Sequence, residues 1–141
     1  MQHPTLDRLK SEANEAIRDF LDHWPVGTAD GLYDPVHYLM GIGGKRLRAV
    51  LSLSAAVAEG HPAEKANPAA LAVELFHNFT LMHDDIMDQA PKRRGNPTVH
   101  IKWDENAAIL SGDAMYTLAH MALAELTPKE LPRALRVFNQ T

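Results

Sequence analysis

The sequence predicts an all-α protein, on two observations of composition and one of pattern. Hydrophobic residues make up 45% of the 141-residue chain but aromatic residues only 6%. Alanine and leucine are abundant and β-branched runs are few, a composition that favours helix over sheet. Apolar residues also recur at helical spacing between glycine and proline interruptions. About six helices are therefore expected, in a single helical unit over residues 1–141.

Three helices are predicted in the first part of the chain. Apolar residues at helical spacing, with acids and bases between them, indicate an amphipathic helix over residues 5–24, ended by Pro25. A short helix is expected over residues 30–40, followed by a tight glycine-rich loop at residues 41–44. Residues 45–59 consist mainly of strong helix formers and predict the third helix.

The remaining helices are predicted from their end signals. Asn67 precedes a proline, a cap and first-turn signal for a long helix that runs to about Asp88. Residues 89–97 contain two prolines and a glycine and predict a loop. A helix is expected over residues 104–126, and the capping box of residues 127–130 opens the last one.

Composition excludes several classes of partner. The formal net charge is −4 with both signs dispersed, so no nucleic-acid footprint is expected. The chain contains no cysteine, which excludes a disulfide framework and a thiolate metal site. Neither an apolar signal core nor the roughly 18 consecutive apolar residues of a membrane span is present. We therefore expect a cytoplasmic protein without a membrane span.

The segment HNFTLMHDDIMD, residues 77–88, predicts a metal site at a helix end. Asp84 and Asp88 are four residues apart and share a helix face, whereas Asp85 is rotated by about a quarter turn. Two such carboxylates repel each other and oppose the helix dipole, which Mg²⁺ shared with substrate phosphates would compensate. The alternative is a solvated acidic helix end.

Two basic segments suit phosphate groups. The loop QAPKRRGNP supplies Arg93 and Arg94, whose guanidinium groups can bind phosphate oxygens in pairs. They could equally form surface ion pairs with the aspartates. In GIGGKRLR a glycine turn precedes Lys45 and Arg48, three residues apart on one face of a predicted helix start. Together with the carboxylates, these segments predict two phosphate-bearing ligands.

Four segments in order, GGKRLR, HNFTLMHDDIMD, RRGNPTVH and AAILSGDAMY, resemble the N-terminal half of trans-isoprenyl diphosphate synthases, the polyprenyl synthetase family. The resemblance runs from about Met40 to Tyr116. It implies the N-terminal helices of the isoprenoid synthase helical bundle, with Mg²⁺ as cofactor. The implied reaction ionises an allylic diphosphate, whose cation is attacked by isopentenyl diphosphate.

The resemblance also implies residue roles. Catalytic roles fall to Asp84, Asp88 and Arg93, of which the two aspartates are the magnesium ligands and Arg93 binds the allylic diphosphate. Asp85 supports the metal cluster. A basic group would hold isopentenyl diphosphate: Lys45, Arg48, His77 and Arg94. The chain-length cavity would be lined by Phe76, Phe79 and Thr80, and one large beside one small floor residue suggests a C15 to C20 product. The alternative is that both phenylalanines are ordinary core residues.

Departures from the family pattern limit these expectations. Ala49 stands where proline is usual, a change that we expect to be tolerated. The family's second aspartate-rich motif and a lysine that assists ionisation have no counterpart in this sequence. The chain alone is therefore predicted to be inactive or a fragment, to expose apolar helix faces, and to form a homodimer or associate with the missing half.

Three other readings stay open. A terpene cyclase shares the aspartate chemistry but binds no isopentenyl diphosphate, and GGKRLR and RRG favour the transferase. An HD-type metal phosphohydrolase is suggested by His77, His83 and Asp84, although His83 is expected to pack beside the helix end. A non-catalytic helical subunit or regulatory module would keep the same surface without turnover.

Overall fold

The computed structural model describes residues 4–24, 27 and 31–140, which are predominantly helical. Seven α-helices lie within these residues: α1 (Pro4–Leu21), α2 (Asp34–Gly41), α3 (Leu47–Ala58), α4 (Asn67–Met87), α5 (Val99–Lys102), α6 (Glu105–Ala124) and α7 (Leu131–Phe138). A 3₁₀ turn, Ala63–Ala66, leads into α4, and a hairpin of β1 (Lys92–Arg93) and β2 (Asn96–Pro97) follows it. The all-α prediction is confirmed.

Helices α4 and α6 form the centre of the main core. They pack along each other more extensively than any other described pair, with α2 against one side of α6. The interlocking side chains are at most 2% exposed: Val36, Leu39, Leu75, Met82, Met115 and Leu118. A second cluster joins α1 to α3 through Leu9, Ala13, Ala49 and Leu53. Burial of these apolar faces fixes α4, and with it the acidic segment at its end.

The start of α3 differs from the sequence prediction. The helix begins at Leu47, because Arg46 adopts a left-handed backbone conformation with φ of 52°. A residue with positive φ cannot continue an α-helix, so the preceding Lys45 belongs to the glycine-rich turn. The prediction that Lys45 and Arg48 share a helix face was therefore wrong.

Helix ends differ elsewhere by a few residues. The helix predicted over 104–126 ends at Ala124, and Asp104 caps it by accepting a hydrogen bond from the N–H of Ala107 at 2.8 Å. The Glu130 carboxylate accepts hydrogen bonds from the hydroxyl and N–H of Thr127, which lower its pKa, but α7 begins only at Leu131. Helix α5 and the hairpin were not predicted. The predicted boundaries at Pro25 and Asp30 lie outside the described residues.

Several large apolar side chains are exposed. Leu47 and Leu51 on α3, Leu110 on α6 and Val137 on α7 are 59%, 68%, 59% and 58% exposed. An apolar groove of about 720 Å³ lies between α4, α6 and α7. In the part of the chain that the structure describes, no helix combines the length and apolar character needed to cross a membrane.

Candidate functional site

The three aspartates at the end of α4 occupy two environments. Asp84 and Asp88 are exposed, and Asp88 is the C-cap residue. Asp85 is only 4% exposed and accepts two hydrogen bonds from Arg93, from Nε to Oδ2 and from Nη2 to Oδ1, both at 2.8 Å. The helical repeat thus separates Asp85 from the other two, as the spacing predicted. Arg93 is held by Asp85, and this bidentate pair raises the pKa of the arginine.

The exposed pair could supply two carboxylates to a Mg²⁺ ion shared with a substrate. Neither Asp84 nor Asp88 forms a side-chain hydrogen bond or ion pair with another described residue. Among the described residues, no three His, Cys, Asp or Glu side chains are grouped to hold a metal ion. Mg²⁺ in phosphate-binding enzymes usually takes one or two carboxylates and completes its shell with water and substrate phosphate. Asp84 and Asp88 fit that arrangement, whereas a dedicated protein cage is not formed.

In the hairpin after α4, the side chains of Arg93 and Arg94 contact different parts of the protein. Its turn residues, Arg94 and Gly95, both have positive φ, 51° and 82°, as a two-residue type I′ turn requires. Arg93 points back to Asp85 from the first strand. The guanidinium group of Arg94 instead lies against Gly44, where an added Cβ would come within 2.8 Å of Nη1. Because Gly44 has no side chain, the guanidinium group of Arg94 can occupy this space.

Arg94 completes a basic pocket of about 450 Å³ between the glycine turn, α3, α4 and the hairpin. The pocket, called the basic pocket below, brings together all four residues that the sequence assigned to one diphosphate: Lys45, Arg48, His77 and Arg94. Lys10, Gly44, Arg46, Leu47 and Glu74 complete its lining. With Lys10 and Arg46, six nitrogen-bearing side chains line one open volume, an arrangement that favours a strongly charged anion.

The surroundings of His77 favour the neutral form of its imidazole by lowering its pKa. Burial is the largest cause that lowers its pKa from 6.5, and the positive charges of Arg48, Arg94 and Arg93 act in the same direction. The carboxylate of Glu74, one turn earlier on α4, acts against them. A neutral imidazole offers one N–H donor and one acceptor, so His77 can bond a phosphate oxygen without charge.

An apolar cavity of about 430 Å³ adjoins the basic pocket, and Arg48 and His77 line both. The rest of its lining is mostly apolar: Leu51, Ser52, Val73, Phe76, Thr80 and Phe138. Phe76 and Thr80 therefore lie where the sequence placed a cavity wall. The shared residues put a charged volume and an apolar volume side by side, as a diphosphate with a hydrocarbon tail requires.

Phe79 lies outside the described lining of this apolar cavity. Its ring packs against Phe76, Tyr116 and His83, with centroids 5.5, 5.5 and 4.8 Å away. His83 itself sits against α6, where its Nε2 lies 3.2 Å from the carbonyl oxygen of Ile109. His83 thus packs beside the helix end, as the sequence predicted. Phe79 contacts Phe76, which lines the cavity, and is not itself part of the described lining.

Sequence reasoning missed three residues of the basic pocket. Lys10 is an exposed position of α1 with nothing in the sequence to distinguish it. Arg46, in the basic run between Lys45 and Arg48, was given no binding role of its own, yet its side chain is only 3% exposed. Glu74 did carry a signal, because it is the one acid in the apolar stretch AALAVELF, three residues before His77.

Comparison with known proteins places these features in a family. The family model described as polyprenyl synthetase matches residues 29–141. The chain is 41% identical over 138 residues to a geranylgeranyl diphosphate synthase of Methanosarcina mazei, covering 96% of this chain and 43% of that protein. It is 45% identical over 118 residues to a short chain isoprenyl diphosphate synthase of Methanocaldococcus jannaschii, covering 84% and 35% of the two chains.

Solved structures show the same similarity in three dimensions. A crystal structure of a geranylgeranyl pyrophosphate synthase matches with a TM-score of 0.90 and 44% identity, over 99% of this chain and 41% of that one. The geranylgeranyl pyrophosphate synthetase of Geoglobus acetivorans matches with a TM-score of 0.89 and 38% identity, over 96% and 44%. The chain thus spans less than half the length of these relatives.

Proposed function

The chain belongs to the polyprenyl synthetase family, and we propose that it forms one half of a prenyltransferase site that condenses an allylic diphosphate with isopentenyl diphosphate. The observation that carries the proposal is the convergence of Lys45, Arg48, His77 and Arg94 on one pocket. Neither a terpene cyclase nor a phosphohydrolase needs a second diphosphate site of this kind. The basic pocket would hold isopentenyl diphosphate.

The allylic diphosphate would lie at the other basic group, near the end of α4. Asp85 holds Arg93 through Nε and Nη2, so the Nη1 group of Arg93 stays available for a phosphate oxygen. Asp84 and Asp88 would be the ligands of Mg²⁺, which supplies positive charge for the diphosphate as the C–O bond breaks. No protein nucleophile is required, because the double bond of isopentenyl diphosphate supplies the electrons of the new C–C bond, the diphosphate leaves with the electrons of the C–O bond, and the condensed cation then loses a proton.

The apolar cavity beside His77 would receive the hydrocarbon chain. Its wall residues Phe76 and Thr80 limit a volume of about 430 Å³, and the relatives above include synthases named for geranylgeranyl and short-chain products. These findings support a product of C15 to C20. A homodimeric assembly and a cytoplasmic location stay predictions of the sequence.

Binding calorimetry with geranyl diphosphate tests the metal half of the proposal. The 141-residue chain should bind geranyl diphosphate more tightly with Mg²⁺ than without it, because the ion links the two anionic partners. Asp84→Ala should abolish this dependence on Mg²⁺. Asp19→Ala, which removes an exposed aspartate from α1, is the matched control and should keep it. Equal binding with and without Mg²⁺ in the unaltered chain would contradict the proposal.

Turnover is proposed to need residues that this chain does not contain. The test is to mix it with the remaining C-terminal part of the Methanosarcina mazei relative and measure condensation of geranyl diphosphate with isopentenyl diphosphate. Activity in the mixture but in neither part alone supports a catalytic half-site. Magnesium-dependent binding without any activity in the mixture would favour a regulatory module. In an active mixture, Phe76→Ala should lengthen the product, whereas Leu110→Ala, which truncates an exposed side chain on α6, should not.

A further inference from the structure

We propose that Arg46 and Glu74 are positioning residues of the basic pocket: Arg46 fixes the junction between the glycine turn, which carries Lys45, and the start of α3, which carries Arg48, and Glu74 holds Arg46 in place. The inference deepens the proposed function and rests on it. Arg46 lies between Lys45 and Arg48 in sequence and lines the same pocket, but its side chain is only 3% exposed and its Nε, Nη1 and Nη2 all donate to acceptors of the protein. Its contribution to binding is therefore indirect.

The hydrogen bonds of Arg46 show what it holds. Nε donates to Oδ1 of Asn14 on α1 at 3.1 Å, and Nη2 donates to the carbonyl oxygen of Met40 on α2 at 2.7 Å. Nη1 donates to Oε1 of Glu74 on α4 at 3.4 Å. One buried guanidinium group thus ties the start of α3 to three other helices. A planar fork with fixed donor directions suits such a junction, whereas an ammonium group does not.

The backbone of Arg46 gives the second observation. Among described residues other than glycine, three have positive φ, and two of these, Arg46 and Arg94, line the basic pocket. A left-handed conformation is unfavourable for a residue with a side chain and persists only where its surroundings enforce it. The three hydrogen bonds supply that enforcement at Arg46. Without these three hydrogen bonds the backbone of the glycine turn can adopt another conformation. The position of Lys45 and the contact between Gly44 and Arg94 would then change.

Glu74 is the acidic partner in this network. Its side chain is 4% exposed, and Oε2 is buried with no hydrogen-bond partner among the described residues. A half-satisfied buried carboxylate is costly, so its position calls for a reason beyond packing. Its charge balances the buried Arg46 and also acts on His77 and Arg94 across the pocket. Glu74 thus connects the glycine turn to the helix that carries His77.

The first experiment compares Arg46→Met with Arg8→Met in the 141-residue chain. Both variants remove one arginine of an ion pair, but the Arg8 pair with Glu12 is exposed on α1, and neither residue lines the basic pocket. Arg46→Met should weaken binding of inorganic diphosphate about tenfold at a temperature where circular dichroism shows it folded, and Arg8→Met should leave it unchanged. Arg46→Lys restores the charge but not the fork, so full recovery by lysine would overturn the proposal.

Backbone amide resonances distinguish a positioning role of Arg46 from a purely stabilising one. A purely stabilising role would not shift the resonances of the glycine turn in the folded variant. In the ligand-free Arg46→Met protein the amide signals of Gly43, Gly44 and Lys45 should shift, while those of the α6 core around Ala119 stay. Unmoved signals at the turn, together with unaltered binding, overturn the inference. If Arg46→Met does not fold, Glu74→Gln keeps the shape of the side chain, and unmoved turn amides in that variant overturn it equally.

Failure of the inference and failure of the proposed function are distinguishable. If the unaltered chain and Arg8→Met both fail to bind inorganic diphosphate, the basic pocket is not the proposed site. The turn resonances of Arg46→Met still report on positioning in that case. If the unaltered chain binds and Arg46→Met binds equally well, the function stands and the positioning role is refuted.

Discussion

Asp85 and Arg93 form a two-bond ion pair in which the aspartate side chain is 5% exposed and the arginine 23%. The pair joins the last turn of α4 to the hairpin that follows it. It engages the Asp85 carboxylate and leaves Asp84 and Asp88 as the exposed carboxylates of the proposed metal site. One contact therefore divides the acidic motif into a structural residue and two candidate ligands.

Removal of this pair should destabilise the fold. Asp85→Asn leaves a partly buried guanidinium group without its charged acceptor, and we expect a loss of about 2 kcal/mol in the free energy of unfolding. Urea denaturation followed by circular dichroism measures it. Asp88→Asn, on the same helix but exposed at its C-terminus, is the matched control and should cost nothing. Equal losses in the two variants would show that Asp85 is not structurally distinct.

Gly44→Ala should weaken diphosphate binding without unfolding the chain. The added Cβ would lie 2.8 Å from Nη1 and 2.9 Å from Cζ of Arg94, so the guanidinium group must shift within the basic pocket, and the φ of 158° at Gly44 adds backbone strain. We expect binding of inorganic diphosphate to weaken about tenfold, the loss of one charged hydrogen-bond donor. Gly41→Ala, where no atom lies within 4 Å of the new Cβ, is the calorimetric control. Unaltered affinity in Gly44→Ala would exclude Arg94 from the site.

The stability of the chain should depend on pH through His77. Burial and the nearby arginines lower its folded-state pKa below 6.5, so below that pH the unfolded chain binds more protons than the folded one. The resulting contribution to stability is present above pH 6.5 and is lost as pH falls through the folded pKa. Urea denaturation at several pH values measures the free energy of unfolding. That free energy should decrease less at low pH in His77→Gln than in the unaltered chain.

Proton NMR titration of the His77 ring checks the same point directly. The ring should titrate below pH 6.5 in the free chain, and saturating inorganic diphosphate should move its midpoint upward because the anion stabilises the imidazolium. A midpoint above 6.5 in the free chain would contradict the prediction. A midpoint that diphosphate does not move would place the anion elsewhere.

Leu75 should be critical for the core that positions α4. Its side chain is fully buried, and Leu75→Ala should reduce the free energy of unfolding by about 2–5 kcal/mol through lost contacts and a residual cavity. Leu110→Ala is the control, since that side chain is 59% exposed, and we expect a change within about 0.5 kcal/mol. If thermal unfolding showed equal decreases in the midpoint temperature of Leu75→Ala and Leu110→Ala, Leu75 would not be critical for the core.

The sequence predicted the helices most reliably where local signals agreed. The long helix over the aspartates was recovered to within one residue, since proline at its start and the loop after it marked both ends. Helix α5 was missed because four residues carry too little periodicity to recognise. The hairpin was missed because its turn needs positive φ at Arg94, which no residue-type preference indicates.

The sequence by itself determined the family of this protein and the candidate residues of its site. Residue types and spacing identified the exposed carboxylate pair, the basic residues and the family, because helical periodicity and side-chain charge are local properties. Only the tertiary structure decided which of those residues pair with other protein groups and which stay available for a ligand. It paired Asp85 with Arg93, turned Arg94 toward Gly44, and buried Arg46 against Glu74. Such pairings join separate elements and depend on which side chains packing brings together, which local spacing does not encode.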